Sequence, residues 1–115
     1  MFKQFALLTK RDGLSTAEFI DYYENHHVPL VLGLAGMPHR VYKRHFVIRD
    51  DDRNQAEQGV DFDVVTEVAF DDRESYDAWL AAVGEHGAEV AADEAKFLDR
   101  SRTRVVLVED HVSAG

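Results

Sequence analysis

The chain has 115 residues, 45% of them hydrophobic and 30% charged, the composition of an ordinary soluble domain with one core. It has no cysteine, which excludes disulfides, thiol nucleophiles and thiolate metal sites. Thirteen basic residues against twenty-two acidic ones leave a formal charge of -9, which repels phosphate backbones and anionic lipid, so neither nucleic acid nor a membrane surface is expected as a partner.

The opening MFKQFALLTKR is charged too early for a signal peptide or a membrane span, and a cytoplasmic address is expected. Residues 2–10 alternate as a strand, with Phe5 and Leu7 on one face and Ala6 and Leu8 on the other. Asp12-Gly13 turns the chain, and Ser15 with Glu18 forms a capping box at the start of a helix. Phe19, Ile20, Tyr23, His27, Leu30 and Leu34 then fall on one helical face. Pro29 lacks an N–H and disfavours helical geometry at Val28, so the helix is expected to break or bend near His27.

"HRVYKRHFVIRD" reads as a second strand, and residues 51–59 as a flexible polar loop. "VDFDVVTEVAF" alternates again, with Phe62, Val64, Thr66, Val68 and Phe70 on one face and Asp61, Asp63, Val65, Glu67 and Ala69 on the other. Asp71-Asp72 caps a helix whose apolar face is Tyr76, Trp79, Leu80 and Val83. A short helical piece over 88–97, a strand over 102–109 and a loose tail from 111 to 115 complete one domain over 1–115.

The order β-α-β-β-α-β predicts an α+β ferredoxin-like fold: a four-stranded antiparallel sheet with helices on one face. The uncovered face is expected to carry Phe5, Leu7, Val41, Val65, Val105 and Leu107. An apolar face of that size rarely stays wet, and a second copy packed by twofold symmetry would cover it, closing a dimeric α+β barrel.

Three stretches carry a family likeness: "KRDGLSTAEFIDYYENHHVPLV", "DFDVVTEVAFDD" and "DEAKFLDRSRTRVVLVED". Together they resemble the EthD family of the dimeric α+β barrel superfamily, from Lys10 to Glu109. Tyr23 stands where that family usually has tryptophan. The resemblance implies a homodimer with a cleft between sheet and helices. Relatives in the family and superfamily are linked to ether degradation, to dehydration or decarboxylation of aromatic polyketides and to cofactor-free oxygenation, and others bind haem.

His27 matches the motif histidine of the family and His26 does not. Adjacent helical residues point about 100° apart, so the two do not share a target. His27 is read either as a general acid/base or as a packed histidine capping the broken helix on a free carbonyl. Asp63 and Glu67 match acidic strand positions of the family, on the face expected to turn toward a cavity. Four residues along a strand span roughly 13 Å, too far for a paired-carboxylate hydrolase. Either residue would orient His27 or a tyrosine, or form an ion pair with Lys43, Arg44 or Arg104.

His27, Asp63 and Glu67 are thus the candidate catalytic residues, with Tyr23, Tyr42 and Phe5 as candidate ligand contacts. No metal or cofactor site is expected: His39 and His45 lie roughly 20 Å apart on a strand. His86, alone between glycines, would serve a haem only as a lone proximal ligand. Arg40, Lys43, Arg44, Arg100, Arg102 and Arg104 flank the two expected edge strands, where charge discourages open-ended pairing.

Three functions remain open on the sequence. The first is a cofactor-independent enzyme acting on an aromatic or oxygenated small molecule, by dehydration, cyclisation or oxygenation. The second is a non-catalytic protein holding a hydrophobic ligand or supporting an oxygenase. The third is a haem- or metal-using oxidoreductase.

Overall fold

A computed structural model describes residues 1–36 and 38–115. Strands β1 (Phe2–Leu8), β2 (Val41–Phe46), β3 (Val64–Phe70) and β4 (Arg104–Glu109) form one antiparallel sheet in the order β2-β3-β1-β4. Helices α1 (Thr16–Tyr22) and α2 (Val28–Ala35) lie between β1 and β2, and α3 (Arg73–Gly84) and α4 (Gly87–Glu94) between β3 and β4. This is the expected βαββαβ plan, with the charged strands β2 and β4 at its edges.

The alternation in β1 and β3 decides which face is covered. Ala6 and Leu8 of β1 and Val64, Thr66, Val68 and Phe70 of β3 are buried, and Phe19 and Tyr23 are fully buried against the same side. Ser15 caps α1 as the sequence predicts, its side chain accepting from the Glu18 amide while Glu18 accepts from the Ser15 amide. Asp72 caps α3 by accepting from the Ser75 amide. After α4 the chain folds back onto the end of β1. Arg11 donates to the Phe97 carbonyl at 2.8 Å, Asp99 donates to that of Thr9 at 2.9 Å, and Phe97 is fully buried.

One expectation needs correction. Val105 and Leu107 face the helices rather than the uncovered side, because β4 pairs with β1 so that they oppose Ala6 and Gln4. The uncovered face therefore presents Val106 and Val108 in their place, beside Phe5, Leu7 and Val65. With Val-Val-Leu-Val at four successive positions, β4 has no polar alternation from which to read its register.

Near His27, where a break or bend is expected, the helix is interrupted but does not end. It passes through a single wide turn over Tyr23–His27, where Val28 donates to the carbonyl of Tyr23 five residues back. It then resumes as α2, with Pro29 in the first turn where no N–H is required. The wider turn accommodates both the missing donor and the bulk of the proline ring without ending the helix.

Candidate functional site

The wide turn lies over the middle of the sheet and presents Tyr23 and His27, four residues apart, on its buried side. Their rings meet edge to face with centroids 5.2 Å apart, and Phe97 lies against both, 5.4 Å from Tyr23 and 4.9 Å from His27. Only 7% of His27 is exposed.

The partner of His27 comes from the other helical segment. Nδ1 lies 2.7 Å from Oδ2 of Asp93, near the end of α4, and Asp93 is itself 92% buried, at 8% exposure. Its other oxygen accepts from the Tyr22 hydroxyl at 2.6 Å. A carboxylate facing Nδ1 selects the tautomer with the proton there, so the lone pair of Nε2 is directed elsewhere. Nε2 makes no hydrogen bond among the described residues.

His27 lines a cavity of about 160 Å³ between the sheet and the helices. Its floor is Ala6, Leu8, Thr66 and Val68; Tyr23, Val31, Tyr42 and Trp79 wall it; Glu94, Thr103 and Val105 stand at the side of β4. Apolar groups dominate and a few polar atoms converge, the usual character of a small-molecule site. A volume of this order holds a single aromatic ring.

Two tyrosines supply the largest polar surface. The hydroxyls of Tyr23 and Thr66 share a hydrogen bond at 2.5 Å, and Tyr42 lines the same cavity. Burial pushes the Tyr23 hydroxyl up to about 12, against the opposing pull of the Thr66 bond. Burial raises Tyr42 as well, and the neighbouring Tyr23 adds to that. Both therefore remain neutral phenols at physiological pH, able to donate or accept but not to act as bases. Arg44 stacks over the Tyr42 ring at 5.0 Å while forming a bidentate pair with Glu24, both bonds 2.8 Å, which fixes the outer edge of this wall.

The EthD domain profile matches residues 11–101. The chain belongs to the EthD domain family. Similar solved structures include an EthD-family protein from Bacillus halodurans, 22% identical with a TM-score of 0.67, covering 96% of this chain and 99% of that one. The Arabidopsis thaliana protein At3g17210 is 15% identical with a TM-score of 0.66, covering 99% of each chain. A dimeric ferredoxin-like protein of unknown function from Thermobifida fusca is 16% identical with a TM-score of 0.57, covering 93% of this chain and 88% of that one. These likenesses show the fold. No curated protein matches the chain significantly.

Against the EthD resemblance, the candidate residues separate. His27, Tyr23 and Tyr42 meet at the cavity; Asp63, Glu67 and Phe5 do not. Asp63 is buried just before β3, where it accepts from the Lys10 amide at 2.7 Å and from Arg49 at 2.6 Å. Arg49 also donates to the carbonyls of Val60 and Phe62, so this carboxylate and guanidinium fasten the segment after the 51–59 loop to the sheet. Glu67 lies on the uncovered face, 3.1 Å from Lys3 and 3.2 Å from His45. Burial alone would raise Glu67, but the bonds from Lys3 and His45 override it and hold the carboxyl below its ordinary value. Phe5 sits beside Glu67 on that face, opposite it in the β1–β3 ladder. Neither acid pairs with Lys43, Arg44 or Arg104: Arg44 takes Glu24 and Arg104 takes Asp61.

Asp93 is the residue that sequence reasoning missed. One signal pointed to it: Val90, Asp93 and Phe97 fall at three- and four-residue spacing, placing a carboxylate on a buried apolar stripe. His26 is exposed and stacks on Tyr22 at 4.8 Å, pointing away from the cavity. His86 lies 3.8 Å from Glu89 and outside the cavity lining.

Proposed function

We propose that this EthD-family chain binds a small aromatic or oxygenated molecule between sheet and helices and transforms it without a cofactor, His27 serving as acid and base. The observation that carries this reading is the buried contact of His27 Nδ1 with Asp93 at 2.7 Å, in a side chain that lines the cavity and whose Nε2 is unpartnered among the described residues. A capping histidine would be tied to helix carbonyls. His27 is tied instead to a carboxylate, the arrangement that holds an imidazole in one tautomer and provides a counter-charge when Nε2 takes a proton. Tyr23 and Tyr42 orient the ligand as neutral phenols, and the apolar walls pack against its ring. Proton transfer of this kind serves dehydration, cyclisation or the deprotonation that begins cofactor-free oxygenation. Asp63 and Glu67 serve the framework.

The working unit is proposed to be a homodimer. Phe5, Leu7, Val65, Val106 and Val108 give the uncovered sheet face apolar surface around the Lys3–Glu67–His45 cluster, with Val106 47% exposed, and two such faces packed together would close a barrel. The structurally similar protein from Thermobifida fusca is described as dimeric. Among the described residues no helix is long and apolar enough to cross a membrane.

The test is to offer the protein single-ring phenols, quinones and hydroxyketones and to follow consumption by mass spectrometry. Wild type is expected to convert at least one of them, and His27→Ala to bind it while losing about 100-fold or more in turnover. Equal turnover by His27→Ala would contradict the assignment. Binding without product in the wild type would replace it with a ligand-holding role.

A further inference from the structure

Gln4 is the one amide side chain in the cavity lining, and the assigned roles leave half of it unused. It lies on β1, facing the helices, with 8% of its surface exposed. Its Oε1 accepts from the Tyr76 hydroxyl of α3 at 2.7 Å. In this arrangement the hydroxyl donates to the oxygen, and the NH2 lies on the other side of the amide. The nitrogen makes no hydrogen bond among the described residues. Nor is it sealed: the enclosed, unpartnered polar atoms are His39 Nδ1 and Trp79 Nε1. An NH2 with no protein partner in a side chain that lines the cavity is free to donate to a ligand there.

We infer that Gln4 is a ligand-binding residue whose NH2 donates to a carbonyl oxygen of the substrate. The inference rests on the proposed small-molecule reading of the cavity and narrows it. His27 presents an acceptor at Nε2, and Gln4 presents a donor. A ligand matching both carries a hydroxyl and a carbonyl on one frame, and about 160 Å³ limits that frame to roughly one ring. The chemical class is therefore a hydroxylated aromatic aldehyde or ketone. Tyr76 is a positioning residue: it touches Gln4 and holds the amide in the donating orientation.

The probes are para-hydroxybenzaldehyde and para-ethylphenol, similar in size and differing in the carbonyl. Binding is followed through the ring signals of His27, and the aldehyde carbonyl through its infrared stretch. Wild type is expected to prefer the aldehyde by about tenfold, the value of one net hydrogen bond, with a lowered stretching frequency. Because Gln4→Leu alone would strand the Tyr76 hydroxyl, the variant pairs it with Tyr76→Phe, removing donor and acceptor together. That double variant should bind both probes alike and leave the stretch unshifted, whereas Tyr76→Phe alone retains part of the preference. If wild type binds para-ethylphenol as tightly as the aldehyde, or if the preference survives in the folded double variant, the Gln4 assignment is overturned and the cavity reading stands. If neither probe moves the His27 signals, the cavity reading fails and the Gln4 assignment with it.

Discussion

Replacing Asp93 by Asn removes the charge behind His27 while keeping the side-chain shape. The carboxylate accepts from His27 Nδ1 at 2.7 Å and from the Tyr22 hydroxyl at 2.6 Å, with 8% of the residue exposed. Hydrogen bonds to a charged group contribute about 1.5–3 kcal/mol each, neutral ones about 0.5–1.5. Two bonds weakened by about 1 kcal/mol apiece give a loss on the order of 2 kcal/mol, a large part of the ~5–15 kcal/mol that holds a domain folded. In a chain of this length that corresponds to a fall in Tm of roughly 10 °C. The asparagine offers one acceptor and one donor where two donors arrive. Either the Tyr22 hydroxyl turns to accept, or His27 moves its proton to Nε2, with loss of the base at the cavity. Asp93→Ala strands both donors and should cost more, about 3–5 kcal/mol. Urea unfolding followed by circular dichroism measures both. If Asp93→Asn is as stable as wild type within about 0.5 kcal/mol, the carboxylate is effectively solvated and the argument for an oriented His27 collapses.

Other consequences can be checked separately. Tyr23 keeps its proton more tightly when folded, its value rising from 10.0 to about 12, so the stability it contributes is full below pH 10 and is lost as pH rises through 12. The loss, on the order of 3 kcal/mol, should largely vanish from the alkaline unfolding profile of Tyr23→Phe. Glu67 behaves oppositely: its carboxyl is held below 4.5, so its contribution is full above that pH and disappears as the pH falls through the lowered value. Glu67→Gln should flatten the acid limb of the stability profile, and an unchanged limb would mean that the Lys3 and His45 bonds are not kept in solution. Val65→Glu adds a second carboxylate to the uncovered face, two residues from Glu67 and opposite Leu7. Sedimentation should then show a monomer with an unchanged circular dichroism spectrum, and a persisting dimer would place the contact elsewhere.

Much of the architecture could be read from the residues because local rules and the global fold agree. The Ser15–Glu18 box and the Asp72 cap start their helices where the sequence places them. The β3 alternation settles which side chains meet the helices, from Val64 through Phe70. What could not be read depends on tertiary contacts. Pro29 signals disruption, but whether a helix ends or widens by one residue depends on what it packs against, and here Phe97 and the sheet hold Tyr23 and His27 inward. β4 is apolar on both faces, so only its ladder with β1 sets its register. At the site, His27 was accessible from helical spacing and the family likeness, Tyr23 from helical spacing, and Tyr42 only as an aromatic able to stack on or hydrogen-bond a ligand. Asp93, 66 residues from His27, was masked by Asp63 and Glu67, the acids that match the family's strand positions. Those acids proved to be committed to Arg49 and to Lys3.

The central claim is that His27 offers an unprotonated Nε2 to a ligand in the cavity. It is tested most directly by long-range proton–nitrogen correlation spectra of the nitrogen-labelled protein, recorded at neutral pH before and after addition of phenol. The account predicts that the His27 ring is protonated at Nδ1 and that phenol shifts its Nε2 signal while those of the exposed His26 and His111 stay in place. A ring protonated at Nε2, or a His27 signal indifferent to phenol, would contradict it.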